Sequence, residues 1–310
     1  MKKRDLISIA DLTKAEIEEV LGLALKLKKD RGLTTDHLKG RTIGLVFQKP
    51  SNRTRVSFEV GAFQLGGHCI YLGPDDINLG QRETTEDVAK TLSRYLDCIV
   101  ARTFAHQDVI DLGKFADVPV INGLSDLDHP CQAFADVLSI QEHFGHLNNL
   151  TVSFIGDGNN VCHSLMMICA KLGIHIKIAT PKGYGPNAKV LKNARAYAEE
   201  SGCSITLTNS PVKAAKGAHV IYADVWTSMG QEEETQKRLQ DFKDFQINAQ
   251  LVKHAREDFI FMHCLPAHRG EEVTADVIDG SHSIVFDQAE NRMHVEKAIL
   301  IFLLCDPKNT

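Results

Sequence analysis

Nine short apolar runs, separated by helix-type patterns, constrain the fold of this chain most strongly. Strand runs that alternate with helical patterns predict parallel pairing with right-handed crossovers. The runs lie near residues 42–47, 68–72, 98–103, 118–121, 151–156, 175–180, 204–209, 219–225 and 258–263. We therefore predict an α/β fold of two doubly wound domains, each a mostly parallel sheet flanked by helices, with a cleft between them.

The length of 310 residues also favours two domains, because single hydrophobic cores stop growing at about 250–300 residues. The polar segment 145–149 separates the first four strand runs from the last five. We place the boundary there, with a first domain at 1–146 and a second at 147–310. The apolar C-terminal helix, at about 289–305, is expected to pack back on the first domain.

Composition argues against several classes of protein. The net charge of −5 disfavours a general nucleic-acid binder. No apolar run is long enough to cross a bilayer, and the N-terminus lacks the apolar core of a signal peptide. The eight cysteines show no C-x-x-C spacing, which favours packed thiols in a reducing compartment. The expectation is a cytoplasmic protein without nucleic-acid or membrane partners.

The stretch 49–55, Lys-Pro-Ser-Asn-Arg-Thr-Arg, is the strongest candidate binding site. It lies between a strand run and a helical pattern, where free backbone N–H groups and the positive end of the helix dipole meet. Two hydroxyls and three cations converge there without an acid, which is the chemistry that a phosphate dianion needs. The alternative is a polar turn with a solvated charge cluster.

The Gly-x-Gly turn at 156–158 resembles part of a dinucleotide-binding fingerprint. Val161 stands where the third glycine belongs, and the next strand run does not end in an acid for the ribose. Nucleotide binding is therefore the less favoured reading. The side chains of Asn159 and Asn160 could instead present amides to a small polar substrate.

Asp224 follows an apolar strand run and suits a substrate ammonium group. Its alternative role is to cap the following helix, whose charges at Glu234 and Arg238 pair at i,i+4 and indicate a solvated face. Cys264 brings a thiol to the end of the last strand run. A metal site is the rival there, but His-Cys-x-x-x-His without a further cysteine is weak spacing; an inert buried thiol is the other alternative.

Four motifs, in this order and spacing, resemble the aspartate/ornithine carbamoyltransferase family along essentially the whole chain. They are Ser51-Asn52-Arg53-Thr54-Arg55, His129-Pro130-Cys131-Gln132, Asp224-x-x-x-Ser228-Met229-Gly230 and His263-Cys264-Leu265-Pro266. The first two are typical of carbamoyltransferases in general. The Ser-Met-Gly motif after the aspartate is typical of the ornithine-specific branch.

The resemblance implies transfer of the carbamoyl group of carbamoyl phosphate to the δ-amine of L-ornithine, which gives citrulline and phosphate in arginine biosynthesis. A different amine acceptor (putrescine, acetylornithine or aspartate) is the alternative. More distant alternatives are an NAD-dependent dehydrogenase and a non-catalytic two-lobed amino-acid-binding protein. No cofactor and no metal are expected. The family relationship implies a homotrimer or a multiple of trimers.

The same resemblance implies the roles of particular residues. Carbamoyl phosphate would be bound by Ser51, Asn52, Arg53, Thr54, Asn78, Arg102, His129, Gln132, Cys264, Leu265 and Arg292. Ornithine would be bound by Asn160, Asp224, Ser228 and Met229. Arg102, His129 and Cys264 would be catalytic, and Asn78 would reach carbamoyl phosphate across a subunit boundary. From its sequence context alone, Arg292 is either a cation in the cleft or a surface side chain.

Overall fold

The computed structural model of the chain describes residues 3–29, 34–77, 79–80, 82–228 and 232–305. The chain divides into two compact units. One contains the residues up to Leu138 together with those from Glu290 onward, and the other contains Ser139–Ala289. The boundary that we predict at 146/147 stays a prediction. No helix in the described ranges is long and apolar enough to cross a membrane.

The first unit is built on a four-stranded parallel sheet. Its strands are β1 (Thr42–Phe47), β2 (His68–Leu72), β3 (Cys98–Arg102) and β4 (Val120–Leu124), in the order β2-β1-β3-β4. Its helices are α1 (Lys14–Lys29), α2 (Asn52–Gln64), α3 (Pro74–Ile77), α4 (Thr85–Leu92), α5 (His106–Phe115) and the first part of α6 (Pro130–Phe144), which continues into the second unit. The chain reverses its winding between β1 and β3, and the carboxyl ends of strands at such a switch point are where doubly wound sheets bind ligands.

The second unit is built on a five-stranded parallel sheet. Its strands are β5 (Thr151–Ile155), β6 (His175–Ala179), β7 (Ile205–Thr208), β8 (Val220–Ala223) and β9 (Ile260–His263), in the order β7-β6-β5-β8-β9. Its helices are α7 (Asn160–Leu172), α8 (Ala188–Ser201), α9 (Pro211–Ala215), α10 (Thr235–Phe242), α11 (Ala249–Val252) and α12 (Ala275–Ile278). The long helix α13 (Val285–Leu304) closes the chain, and the switch point of this sheet lies between β5 and β8.

Burial follows the position of each strand in its sheet. The inner strand β3 is buried along its whole length, and β1 is buried from its second residue onward. The edge strand β2 has the alternating, partly exposed pattern of a strand covered on one side. Packing favours glycine at position 123 in β4, since a Cβ there would lie 3.2 Å from the Ala101 carbonyl oxygen.

The predicted fold class is confirmed: both sheets are parallel, and helices flank them. Two boundaries differ from the expectation. β4 is shifted toward the C-terminus, because Pro119 has no N–H for the ladder and pairing continues to Leu124, past a register shift at Gly123. α13 begins at Val285, four residues before the predicted start, because Ile284 still donates its backbone N–H to Phe261 and the helix follows at once.

Candidate active site

Ser51 caps the helix that follows β1. Its side chain accepts a hydrogen bond from the backbone N–H of Thr54 at 3.3 Å, and α2 begins at the next residue. The Asn52 side chain accepts from the N–H of Arg53 at 2.7 Å. The predicted strand-to-helix turn is therefore present, with a helix of 13 residues behind it to supply the dipole.

Arg102 is the last residue of β3 and pairs in register with Phe47, the last residue of β1. Its side chain is buried. Burial lowers its pKa to about 10, and the nearby positive charges of Arg292 and Arg53 act in the same direction. The parallel pairing of β1 and β3 thus brings a buried guanidinium beside the turn that Ser51 opens.

His129 stands immediately before Pro130, the first residue of α6, and is buried. Burial lowers the pKa of its imidazole well below the ordinary value, and Arg292, Arg102 and Arg53 lower it further. The imidazole is therefore neutral at physiological pH. A neutral ring has one N–H donor, which can bind a carbonyl oxygen without adding another charge to this cationic region.

Arg292 connects three elements of the first unit. From α13 it donates to the Gln132 side-chain oxygen on α6 at 2.9 Å and to Thr54 Oγ1 on α2 at 3.3 Å. It also donates to Glu296 one turn further along its own helix, at 2.8 Å. The guanidinium is almost fully buried. The surface alternative for Arg292 is therefore wrong.

Two buried carboxylates balance this cluster of cations. Asp136 accepts from the Gln132 Nε2 at 2.8 Å, and Glu296 accepts from Arg292. Burial raises the pKa of Glu296 to about 7, although the charge of Arg292 acts in the opposite direction. We did not single out either acid from the sequence. The available signal was the i,i+4 spacing of each acid from its partner on the same helix.

In the second unit, Asp224 follows β8, and its carboxylate accepts hydrogen bonds from three residues. Its Oδ2 accepts from Asn159 Nδ2 at 2.7 Å, and its Oδ1 accepts from the Cys264 thiol at 2.9 Å and from the Val225 backbone N–H at 2.8 Å. Asn159 also caps α7 with its side-chain oxygen. The carboxyl ends of β5, β8 and β9 therefore meet at one carboxylate, as expected at the switch point of the sheet.

The segment after β9 is held by a second set of contacts. Its Leu265–Pro266 peptide bond is cis, and Leu265 has a φ of 57°. The Leu265 N–H donates to Nδ1 of His263 at 2.9 Å, so Nε2 of the neutral ring carries the proton. Nε2 lies 3.2 Å from Glu272, and both side chains are fully buried. These contacts orient the thiol of Cys264, and sequence reasoning missed Glu272.

Of the other predicted ornithine-binding residues, the structure describes Asn160 and Ser228. Asn160 is half-buried in the first turn of α7, where its oxygen accepts from the Val161 N–H at 3.0 Å. Ser228 is half-buried beyond β8. Met229 lies outside the described residues, as does Asn78, the predicted contact across a subunit boundary.

The expectation that α10 presents only a solvated face is wrong for Arg238. The predicted i,i+4 pair with Glu234 is present at 2.9 Å. The guanidinium is nevertheless buried, because it also donates to Asp157 at 2.7 Å and to the Trp226 carbonyl oxygen at 3.0 Å. Through its bond to the Trp226 carbonyl, Arg238 thus fixes the start of the segment that follows Asp224. The sequence could not reveal this contact, which joins residues 81 positions apart.

Two groups in the described part of the chain bring potential metal ligands within 4.8 Å of one another. The first comprises Asp224, His263 and Cys264, and the second His268, Glu271 and Glu272. In the first group, Nδ1 of His263 already accepts from Leu265, and Cys264 and Asp224 are hydrogen-bonded to each other. These atoms are used for hydrogen bonding within the unit, so the geometry gives no reason to place a metal there.

The two doubly wound α/β units carry a buried cation cluster and a carboxylate–thiol pair, respectively, at the strand ends where sheets of this class bind ligands. Residues 4–142 match the carbamoyl-P binding domain of aspartate/ornithine carbamoyltransferase, and residues 148–303 match the Asp/Orn binding domain. The chain belongs to the aspartate/ornithine carbamoyltransferase family, and the resemblance seen in its motifs is confirmed.

Individual relatives match over nearly their full length. The ornithine carbamoyltransferase of Carboxydothermus hydrogenoformans is 54% identical over 303 residues, which cover 97% of each chain. The anabolic ornithine carbamoyltransferase of Pyrococcus furiosus is also 54% identical, over 97% of this chain and 96% of the relative. A solved structure of the Pyrococcus furiosus enzyme superposes with a TM-score of 0.94 at 53% identity, covering 97% of both chains.

Proposed function

We propose that this chain is an ornithine carbamoyltransferase that converts carbamoyl phosphate and L-ornithine to L-citrulline and phosphate. The observation that carries the proposal is the 54% identity, over 97% of the chain, to relatives named for that activity. One of these relatives is named anabolic, which supports a role in arginine biosynthesis. The domain at 1–146 binds carbamoyl phosphate, and the domain at 147–310 binds ornithine.

Most residues of the carbamoyl phosphate site belong to the first unit. Arg53 and the hydroxyls of the α2 N-terminus hold the phosphate, which leaves as an anion and needs cations. Arg102 and the neutral His129 donate to the carbonyl oxygen, and Gln132 accepts from the carbamoyl amide. The remaining members of the site are Ser51, Asn52, Thr54, Asn78, Cys264, Leu265 and Arg292. The positive charges of Arg53 and Arg292 lower the pKa values of both Arg102 and His129, which supports the grouping of these four residues.

The ornithine site uses the carboxylate of Asp224 for the α-ammonium group, with Asn160, Ser228 and Met229 as further contacts. Attack by the neutral δ-amine forms the C–N bond, and the bond from the carbamoyl carbon to the phosphate oxygen breaks. Negative charge builds on the carbonyl oxygen, where Arg102 and His129 supply preorganised donors. The amine proton passes to the departing phosphate, because the Cys264 thiol carries its own proton and donates it to Asp224. Placing two bound substrates together accounts for much of the rate enhancement.

An exposed apolar face in the first unit supports self-association. Val56, Val60 and Phe63 recur along one side of α2, and Ile70 lies on the edge strand β2. Phe63 is 70% exposed, and exposed patches of this kind mark interfaces. The chain assembles as a homotrimer or a multiple of trimers, which sedimentation equilibrium tests. Its eight free thiols support a cytoplasmic location.

The proposal is tested by incubating the protein with carbamoyl phosphate and ornithine and measuring citrulline and phosphate together. Equal amounts of the two products support a transfer reaction. Phosphate without citrulline would indicate simple hydrolysis of the donor. No product from either substrate at micromolar protein would contradict the proposal.

A further inference from the structure

We propose that Asp136 is a positioning residue that fixes the side-chain amide of Gln132, so that the site selects an acyl phosphate carrying an amide N–H over one carrying a methyl group. The inference rests on the proposed function and deepens it. It assigns a role in donor specificity to an acid outside the four motifs. That acid is fully buried in the first unit.

The amide of Gln132 lies between two groups of opposite charge. Its Oε1 accepts from Arg292 at 2.9 Å, and its Nε2 donates to Asp136 Oδ1 at 2.8 Å. Gln132 and Asp136 are one turn apart on α6, whereas Arg292 comes from α13. Exposure of the Gln132 residue is only 2%, so bulk water does not replace either partner.

These two neighbours allow only one orientation of the amide. If the group turned by 180°, its NH2 would face the guanidinium, a donor without acceptor atoms. Its oxygen would then face the carboxylate of Asp136, which has no proton to donate when ionised. Both hydrogen bonds would be replaced by repulsive contacts. Asp136 and Arg292 together therefore keep Oε1 at the cationic side of Gln132.

Arg292 is itself held in place by a carboxylate. Glu296 accepts from its Nε at 3.1 Å and from its Nη2 at 2.8 Å, while Thr54 accepts from the same Nη2 at 3.3 Å. The guanidinium therefore cannot rotate away from Gln132 without losing these bonds. A continuous set of contacts runs from Glu296 through Arg292 and Gln132 to Asp136.

This arrangement has a consequence for donor selection. An oxygen at position 132 can accept a further hydrogen bond from a substrate N–H, because an amide oxygen has two lone pairs. Carbamoyl phosphate supplies that N–H. Acetyl phosphate has the same carbonyl and phosphate groups but a methyl group in its place, and it would leave the second lone pair of the buried oxygen unused, with Arg292 still on the first. Sites built to bind an N–H reject analogues that lack it far more strongly than apolar pockets do.

The first test compares Asp136→Asn with the wild type. The amide of asparagine can offer an N–H to Gln132, which allows the flipped orientation. We expect kcat/KM for carbamoyl phosphate to fall about 10- to 100-fold, the range for one lost hydrogen bond to a charged group. The inhibition constant of inorganic phosphate should stay within about twofold, because phosphate does not contact Gln132. Glu142→Gln removes an exposed acid from the same helix and serves as the matched control.

The second test is a double-mutant cycle with Gln132→Ala. If Asp136 acts through Gln132, adding Asp136→Asn to Gln132→Ala should change kcat/KM by less than about twofold. Additive losses, or equal losses of affinity for carbamoyl phosphate and inorganic phosphate, would overturn the proposal. They would show that Asp136 only supports the fold.

A third measurement does not depend on a variant at position 136 folding, or on turnover. Calorimetry compares the binding of carbamoyl phosphate and acetyl phosphate to the wild type and to Gln132→Ala. We expect the wild type to prefer carbamoyl phosphate by at least tenfold and the variant to lose most of that preference. Equal binding of both by the wild type would overturn the inference. Selective binding without citrulline formation would instead contradict the proposed function alone.

Discussion

The thiol of Cys264 donates a hydrogen bond to the carboxylate of Asp224 at 2.9 Å, across 40 positions of sequence. The contact exists because β8 and β9 are parallel neighbours and both residues follow the ends of their strands. It joins two of the motifs in which the resemblance to carbamoyltransferases was seen. A group proposed to hold the ornithine ammonium and a group proposed to lie near the reacting centre therefore have a fixed geometry relative to each other.

Asp224→Asn is expected to weaken ornithine binding far more than carbamoyl phosphate binding. The substitution keeps the shape of the side chain but removes its charge, and it places an NH2 among donors from Cys264, Asn159 and Val225. We expect KM for ornithine to rise about 10- to 100-fold, with KM for carbamoyl phosphate changing less than threefold. Asp258→Asn, on an exposed ion pair of the same unit, is the control. Equal losses for both substrates would indicate a structural role for Asp224.

Arg53→Ala is expected to lower the affinity for carbamoyl phosphate about 10- to 100-fold, because one charge-assisted contact to the phosphate is removed. The fold should be preserved, since Arg53 is only half-buried at the start of α2. Isothermal titration with carbamoyl phosphate measures the loss. Arg55→Ala, which removes an exposed arginine paired with Glu59, should leave the isotherm unchanged. An unaltered isotherm for Arg53→Ala would remove the phosphate site from the α2 turn.

The buried acid Glu296 should make stability depend on pH between about 4.5 and 7. Its pKa is raised to about 7 by burial from the ordinary 4.5, so in this range the folded state binds one more proton than the unfolded state. Stability then falls as pH rises, by about 3 kcal/mol across the window. The depressed pKa of His129 acts in the opposite direction, with stability lost as pH falls below about 6.5.

Glu296→Gln separates the two contributions. Urea unfolding at several pH values should show that the free energy of unfolding of the wild type, relative to that of the variant, falls as pH rises from 5 to 7. Glu19→Gln, at an exposed position on α1, should give a constant difference. A constant difference for Glu296→Gln would mean that the carboxyl has an ordinary pKa in the folded protein.

Arg238→Met is expected to destabilise the protein by about 3–5 kcal/mol, because it leaves the carboxylate of Asp157 buried without its partner. The double variant with Asp157→Leu should recover a large part of that loss, since no unpaired charge remains. Arg256→Met removes an exposed ion pair and should not change the melting temperature measurably. If the double variant were no more stable than Arg238→Met, the ion pair would not be the cause of the destabilisation.

The sequence was most informative where local rules decide the structure. The apolar runs predicted all nine strands that the structure describes, and the helical pattern after the 49–55 stretch predicted the helix after β1. Both depend on neighbours within a few residues. The shift of β4 also has a local cause, because Pro119 and Gly123 can both be read from the sequence.

The sequence was least informative where a role depends on contacts between distant segments. The charge spacing of α10 is typical of a solvent-exposed helix face, yet Arg238 is buried against Asp157 and the Trp226 carbonyl oxygen. Asp136 and Glu272 have no motif of their own. Asp136 accepts from Gln132, whose amide is also fixed by Arg292 from α13, and Glu272 lies 3.2 Å from His263 at the end of β9. A pattern of polar and apolar residues does not encode such pairs.

An ornithine carbamoyltransferase joins carbamoyl phosphate to ornithine in preference to other amines. The most direct measurement is kcat/KM for four acceptors (ornithine, putrescine, aspartate and acetylornithine) at saturating carbamoyl phosphate. We predict that the value for ornithine exceeds each of the others by at least about 100-fold, because the proposed site holds the α-ammonium group of ornithine at Asp224. A higher value for any other acceptor, or no ureido product from all four, would contradict the account.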